Sequence, residues 1–196
     1  TMTKGSAPTD GGYLLLTLDE VAGLGLTDRQ RAQYVRRFLG SEDSINGQFR
    51  YCLWLDKLAA EDVSSNRIAA DRLSGVERMR LDSDKDATKR LAKTPYLFGE
   101  TRQRGDELPV VIPRHSSESR EYMPFVLGNK GDIVADSASA LYDAPLWNMA
   151  VYASRLHLAW IATVCGKIKT DYRYSNTLGW NTFPLPSLTE QNKADL

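Results

Sequence analysis

Apolar residues along this chain follow two periods. The first is helical. Over residues 28–38, Tyr34, Val35, Phe38 and Leu39 form a stripe at spacings of one, three and four. Thr27 stands ahead of it as an N-cap, and Thr17 is a second such cap. Residues 61–93 repeat the pattern through Val63, Ile68, Leu73, Val76, Met79, Leu81 and Leu91, which predicts a pair of helices. The longest apolar stretch is 145–165. Leu146, Met149, Ala150, Ala153, Leu156, Trp160, Ile161 and Val164 line one side, while Trp147, Val151, Leu158 and Ala162 partly fill the others. Pro145 suits a first helical position and Gly166 the position just past an end. A buried core helix about 30 Å long is expected.

The second period is that of strands. Residues 13–16, 50–55, 108–113, 122–127, 133–134 and 138–142 are short apolar runs bounded by turn residues. The polar stretches 1–12, 40–47, 99–107 and 114–121 read as loops, and Thr94-Pro95 ends the helical region. The pattern predicts a mixed α/β (α+β) fold: a small, twisted, mostly antiparallel sheet packed with helices, the C-terminal one long and buried.

The chain has 196 residues, room for one sizeable domain or two small ones. Residues 1–186 read as one domain, α-rich over residues 1–93 and built of sheet plus long helix over residues 94–186. Residues 187–196 read as a tail or linker. The opening Thr-Met-Thr-Lys-Gly-Ser looks like an artificial edge or a start inside a longer protein. Net charge is zero, which argues against strong autonomous DNA binding but leaves room for a local basic face. Between Arg67 and Lys93 lie eight basic and five acidic residues, read as a solvated mixed-charge face, with phosphate contact as the alternative. Cys52 and Cys165 lie in apolar surroundings and read as buried thiols of a reducing compartment. No signal peptide or membrane-spanning run is present.

Catalytic and metal patterns are missing. Two Cys and two His, well separated, give no zinc spacing. Asp82, Asp84 and Asp86 imitate the start of a calcium loop, but Ala87 stands where glycine is required and Lys93 where the closing acid should be. His115 has no partner nearby in sequence, so metal ligation is not expected, and His157 reads as a hydrogen-bonded core or boundary residue. Gly23-Leu-Gly-Leu lacks a third glycine, and neither a Gly-x-Ser-x-Gly elbow nor a Cys/His pairing occurs. An Asn-Pro-Pro-aromatic run, such as holds a flipped adenine, is also missing. A binding module fits better than an enzyme.

The candidate chemistry lies in Gly166-Lys-Ile-Lys-Thr-Asp-Tyr-Arg-Tyr-Ser175. If it is extended, Lys169, Asp171 and Arg173 share a face. Lysine donates to guanine O6 and N7, and aspartate accepts from the cytosine N4 amine, so the set could read a base pair. It could equally be a solvated strand with Asp171 paired to a neighbouring cation. The connections around Arg114 and Asp136-Ser137 divide the same way, between DNA contacts and ordinary hairpin loops.

Several motifs occur in an order that resembles one family. They include Gly11-Gly12-Tyr13-Leu14-Leu15-Leu16, Phe38-Leu39-Gly40-Ser41-Glu42, Ile45-Asn46-Gly47 and Arg50-Tyr51-Cys52-Leu53-Trp54-Leu55. Further along come Thr94-Pro95-Tyr96-Leu97-Phe98-Gly99-Glu100, Ile112-Pro113-Arg114, Ser117-Glu118, Asp171-Tyr172-Arg173-Tyr174-Ser175 and Asn181-Thr182-Phe183-Pro184. Together they resemble the target recognition domain of MmeI-like enzymes, single-chain restriction–modification proteins of bacteria.

The resemblance implies a cytoplasmic, non-catalytic fragment of an adenine-N6 methyltransferase. Its S-adenosylmethionine pocket, and a nuclease with a possible magnesium requirement, would lie upstream. The partners would be double-stranded DNA and that methyltransferase domain, with the target adenine flipped out. Lys169 and Asp171 would read the base pair next to the methylated adenine, and Arg114, Ser116, Asp136 and Ser137 other bases. Arg173, Tyr172, Tyr174, Ser175, Arg120 and Lys167 would contact the DNA backbone or support the readers. Some family patterns have Arg where this chain has Lys167, and Trp180 replaces a more usual Tyr. Two other classes stay open: a protein-interaction scaffold built on Tyr172, Tyr174 and Trp180, and a single-strand binder that stacks bases on the tyrosines.

Overall fold

A computed structural model describes residues 1–47 and 49–196, with residues 44–46 described by backbone alone. Strands β1 (Thr3–Lys4) and β2 (Leu15–Leu16) lead to helices α1 (Leu18–Gly23) and α2 (Asp28–Tyr34). Thr17 and Thr27 do cap them. Each hydroxyl accepts an N–H three residues on, at 3.2 Å, while Glu20 and Gln30 reach back to the cap N–H.

The helix expected over 28–38 stops at Tyr34. Val35–Leu39 is strand β3 instead. Its backbone is taken by β4 (Arg50–Leu53), antiparallel, on one side and by β8 (Ile133–Val134), parallel, on the other. Strand pairing on both sides, with β4 nearby in sequence and with β8 far away, thus overrides a local helical stripe. The loop expected over 40–47 contains helix α3 (Ser41–Asn46), closed by Gly47 at φ +67°, a conformation that glycine adopts without steric cost.

Three helices occupy the next region: α4 (Lys57–Asp62), α5 (Arg67–Leu81) and α6 (Asp86–Arg90), followed by a tight turn Leu91–Lys93. One residue departs from the expected solvated face. Arg80 is 0% exposed. Its five N–H groups meet the carbonyls of Thr9, Leu91, Thr94, Pro8 and Leu97 at 2.8–3.0 Å. Burial lowers its pKa, and the ring of carbonyls satisfies the donors without a carboxylate.

The second half contains β5 (Pro109–Pro113), β6 (His115–Ser116), β7 (Val126–Leu127), β8, and β9 (Ala138–Tyr142). Helices α7 (Trp147–Tyr152) and α8 (Arg155–Val164), strands β10 (Gly166–Ile168) and β11 (Asp171–Arg173), a wide helical turn Asn176–Trp180, and helix α9 (Glu190–Asp195) complete it. The long helix expected over 145–165 is therefore broken. The Ser154 hydroxyl donates to Val151 O at 2.7 Å and accepts the His157 N–H at 3.1 Å, which ends one helix and starts the next. Leu146 and Leu156, expected to be buried, are 69% and 71% exposed. Gly166 opens β10 rather than capping a helix.

The fold is mixed α/β, with three small sheets in place of the single one expected. Their orders are β1-β9-β5-β7, β10-β11-β6 and β2-β4-β3-β8, and β3–β8 is the parallel pair among them. One core, with Leu14, Phe38, Leu53, Val63 and Val76, fills the first half. A second, with Val110, Ile112, Tyr152, Ile161 and Tyr174, lies under α7 and α8. Val111 alternates away from its neighbours into a third cluster with Leu39, Val134 and Ala140. Strand pairing crosses the expected 93/94 division, since β1 joins β9 and β3 joins β8. Cys52 is buried and free, and burial raises its pKa; Cys165 is free and half-buried.

Candidate nucleic-acid interface

β10 and β11 form a hairpin in register Ile168↔Asp171, which leaves Lys169 and Thr170 as a two-residue loop. Lys169 is therefore at the hairpin tip and not within a strand. Its φ is +56°. The left-handed region costs an L-residue roughly 1 kcal/mol, and positive φ at the first loop residue suits the twist of paired strands. Asp171 and Arg173 alternate onto one face, with His115 opposite Arg173 across the β11–β6 pair. Lys169, Asp171 and Arg173 are all exposed.

The other face of the hairpin holds its own contacts. The Lys167 ammonium lies 5.1 Å from the Tyr172 ring centre and 3.5 Å from Glu118. On the first face, Asp171 accepts the Glu118 N–H at 3.4 Å. Arg120 is exposed, in the turn after β6.

Two expected contact residues are inside the protein. Tyr174 is 1% exposed. Its hydroxyl meets His157 Nε2 at 3.0 Å and its N–H donates to Arg114 O at 2.7 Å. Ser116 is 4% exposed, and its hydroxyl has no partner among the described residues. Both side chains lie beneath the exposed face, although the sequence leads Ser116 to be expected to read a base and Tyr174 to contact the DNA backbone or support the readers. Ser175 is half-buried and caps the Leu178 N–H at 3.3 Å. With Tyr174 buried and Tyr172 covered by Lys167, an aromatic stacking platform has lost two of its rings.

Beside the hairpin is a concavity of about 560 Å³ lined by Ser41, Glu42, Arg50, Arg114, His115, Asp136 and Ser137. A smaller one of about 320 Å³ runs along Arg173 and Ser175, and Arg114 belongs to both walls. The structure thus brings Arg114, Asp136 and Ser137 together and joins them to Arg173. The walls are tied from behind. The Ser41 hydroxyl accepts the Arg114 N–H at 3.1 Å, and the Ser41 N–H donates to the Ser137 hydroxyl at 3.3 Å. Asp43 holds Arg50 through both carboxylate oxygens at 3.0 and 2.8 Å and accepts the Gly40 N–H at 2.8 Å. Those hydrogen bonds raise the pKa of Arg50. Asp136 lies 3.6 Å from Lys4. The Arg114 guanidinium has no hydrogen-bond or ion-pair partner among the described residues.

Four lining residues are not among the site residues that the sequence predicts: Ser41, Glu42, Arg50 and His115. In the sequence His115 lies in the 114–121 connection, which divides between DNA contact and an ordinary loop, and it has no companions for a metal. The others converge here because β3 pairs with β8, which sequence spacing does not reveal. No group of three or more His, Cys, Asp or Glu among the described residues could hold a metal. No helix among them is long and apolar enough to cross a membrane.

Exposed donors and acceptors on short, well-anchored strands beside a concave wall are the equipment of a recognition module. The chain belongs to the MmeI target recognition domain family, whose family model matches residues 1–187. DNA methyltransferase A of Bacillus subtilis (strain 168) is 36% identical over 192 residues, covering 98% of this chain and 22% of that protein. A solved structure of the Type IIL restriction-modification enzyme MmeI in complex with DNA matches with a TM-score of 0.89 at 29% identity. That match covers 99% of this chain and 26% of the other. The chain thus spans only about a quarter of the length of these relatives.

Proposed function

We propose that this chain chooses the double-stranded DNA site for a larger bacterial adenine-N6 methyltransferase or restriction–modification enzyme. Residues 1–186 act as the recognition domain and 187–196 lead on from it. The other domains of the parent protein supply S-adenosylmethionine chemistry and, where a nuclease is present, magnesium. The parent works in the cytoplasm.

The observation that carries this reading is the exposed Lys169–Asp171 hairpin end, joined through Arg173 to a concave wall where the Arg114 guanidinium has no partner among the described residues. In the major groove the Lys169 ammonium donates to guanine O6 and N7, and the Asp171 carboxylate accepts from cytosine N4. Arg114, Asp136 and Ser137 address bases from the concavity. Arg173, Arg120 and Lys167 supply charge to phosphates, which fixes register without reading sequence. Ser116, Tyr172, Tyr174 and Ser175 hold these groups in place. The duplex is clamped against the methyltransferase domain while the target adenine leaves the stack.

The test is Lys169→Ala with Asp171→Ala in the full-length parent, followed by sequencing of methylated adenines. One base pair of the motif should lose its preference, with each lost contact worth about 1–3 kcal/mol. Retention of the original motif would overturn the reading.

A further inference from the structure

The larger concavity contains a charged side chain outside the set of readers and supports above. Glu42 lines it beside Arg50, Arg114 and His115. Glu42 and Asp43 are adjacent on α3 and are used differently. Asp43 is 7% exposed and spent on Arg50 and the Gly40 N–H. Glu42 is exposed and has no hydrogen bond or ion pair among the described residues. Arg50 commits Nε and Nη2 to Asp43, which leaves Nη1 without a partner among the described residues. The charge of Glu42 adds to that of Asp43 in raising the pKa of Arg50, so the carboxylate stands close by without pairing.

This is the wrong equipment for a phosphate, which needs donors alone. A free carboxylate facing a polyanion weakens binding unless a donor meets it. A base-pair edge supplies both kinds of partner: cytosine N4 donates, and guanine O6 and N7 accept. The wall is also rigid. Ser41, the residue before Glu42, ties α3 to Arg114 and to Ser137, and the two-point contact with Asp43 fixes the plane of the Arg50 guanidinium.

We propose that Glu42, with Arg50 seated beside it, is a specificity-determining residue that accepts from a cytosine amine at a base pair other than the one read by Lys169 and Asp171. The inference rests on the DNA-reading function proposed above.

The experiment uses the full-length parent with Glu42→Ala, Glu42→Gln and, in parallel, the Lys169/Asp171 double alanine variant. Methylated adenines are sequenced, and duplex affinity is measured across salt concentrations. Glu42→Ala should reduce discrimination at one position by about tenfold, and that position should differ from the one relaxed by the double variant. Glu42→Gln should move the same position toward adenine, because an amide pairs with adenine N6 and N7. The salt slope should stay the same, since no phosphate-facing cation is lost. Glu42 is exposed in the first turn of α3, so thermal melting should move only slightly.

If the Glu42 variants keep the whole motif while the double variant relaxes it, Glu42 has no reading role and the DNA-reading function survives. A uniform gain in affinity for every sequence, with the motif intact, would mark Glu42 as a repulsive charge and also overturn the inference. If neither set changes the motif, the DNA-reading function fails and this inference fails with it.

Discussion

Arg80 and Arg114 are the same side chain under opposite conditions. Arg80 directs all five N–H groups at backbone carbonyls of the Pro8–Thr9 and Leu91–Leu97 segments and is 0% exposed. Arg114 lines two concavities with its guanidinium unpartnered among the described residues. Their regions differ in the same way. Around Arg80, polar groups are used to close the fold. Around Arg114, backbone groups are tied down through Ser41 and Tyr174, while the side-chain donors and acceptors stay open. Rigid backbone with open side-chain valence suits recognition, because binding then spends little on ordering the site.

The harshest way to break the comparison is to remove the closed arginine. Arg80→Met strands five inward carbonyls, and the loss should be at least about 4 kcal/mol. Arg80→Lys should recover only a fraction of it, since an ammonium offers three donors in another geometry. Urea unfolding of the recognition chain within its parent measures both. Arg114→Met should leave the midpoint within about 0.5 kcal/mol. If the two arginine variants unfold alike, the distinction between a closing region and an open one is false.

The packing that supports the open region can be tested by pH. His157 lies beneath the hairpin, 0% exposed, with Nε2 on the Tyr174 hydroxyl and Nδ1 unpartnered among the described residues. The rings of Tyr152, Tyr174, Trp180 and Phe183 surround it. Burial disfavours the imidazolium and lowers its pKa to about 4. The unfolded chain titrates near its ordinary 6.5. Between those values the unfolded state binds a proton that the folded state refuses. Stability is therefore full above pH about 6.5 and falls as pH drops toward about 4, by on the order of 3 kcal/mol. Unfolding midpoints at pH 7, 5.5 and 4.5, compared with those of His157→Gln, isolate this contribution from that of the carboxylates. An equal pH dependence in both proteins would remove His157 as the cause.

Local chemistry was legible in the sequence, and distant pairing was not. Thr17 and Thr27 announce their helices because capping needs only the next three residues. Residues 109–113 and 138–142 announce strands because a central strand buries both faces. Val35–Leu39 reads as helix because its apolar spacing suits one, while its conformation is set by pairing with β4 along most of its length and with β8 at its end. Arg80 looks like its surface neighbours, since nothing nearby in sequence reveals five carbonyls gathered around it. Ser154 is one of several polar residues in the 145–165 stretch, and its use as a cap appears only once the chain bends there. At the site, Lys169, Asp171 and Arg114 stand out by residue type. Glu42 and His115 do not, because the concavity that joins them is built from four separate segments.

The smallest effect tests the hairpin tip itself. Lys-Thr is not a typical turn dipeptide, and glycine or asparagine would enter φ +56° more readily. Such a conformation in a non-glycine residue raises the question of function, which a substitution can answer. Lys169→Gly should relieve the left-handed strain and lose some of that gain to glycine's greater freedom when unfolded, for a net gain of at most about 1 kcal/mol. Discrimination at the base pair assigned to Lys169 and Asp171 should fall in the same variant. Lys169→Ala keeps the strain and should lose discrimination without the gain. Melting curves and methylated-adenine sequencing on the two variants therefore separate strain from reading. If glycine stabilises the protein and leaves the motif untouched, the strained lysine serves the turn alone, and reading at this tip belongs to Asp171.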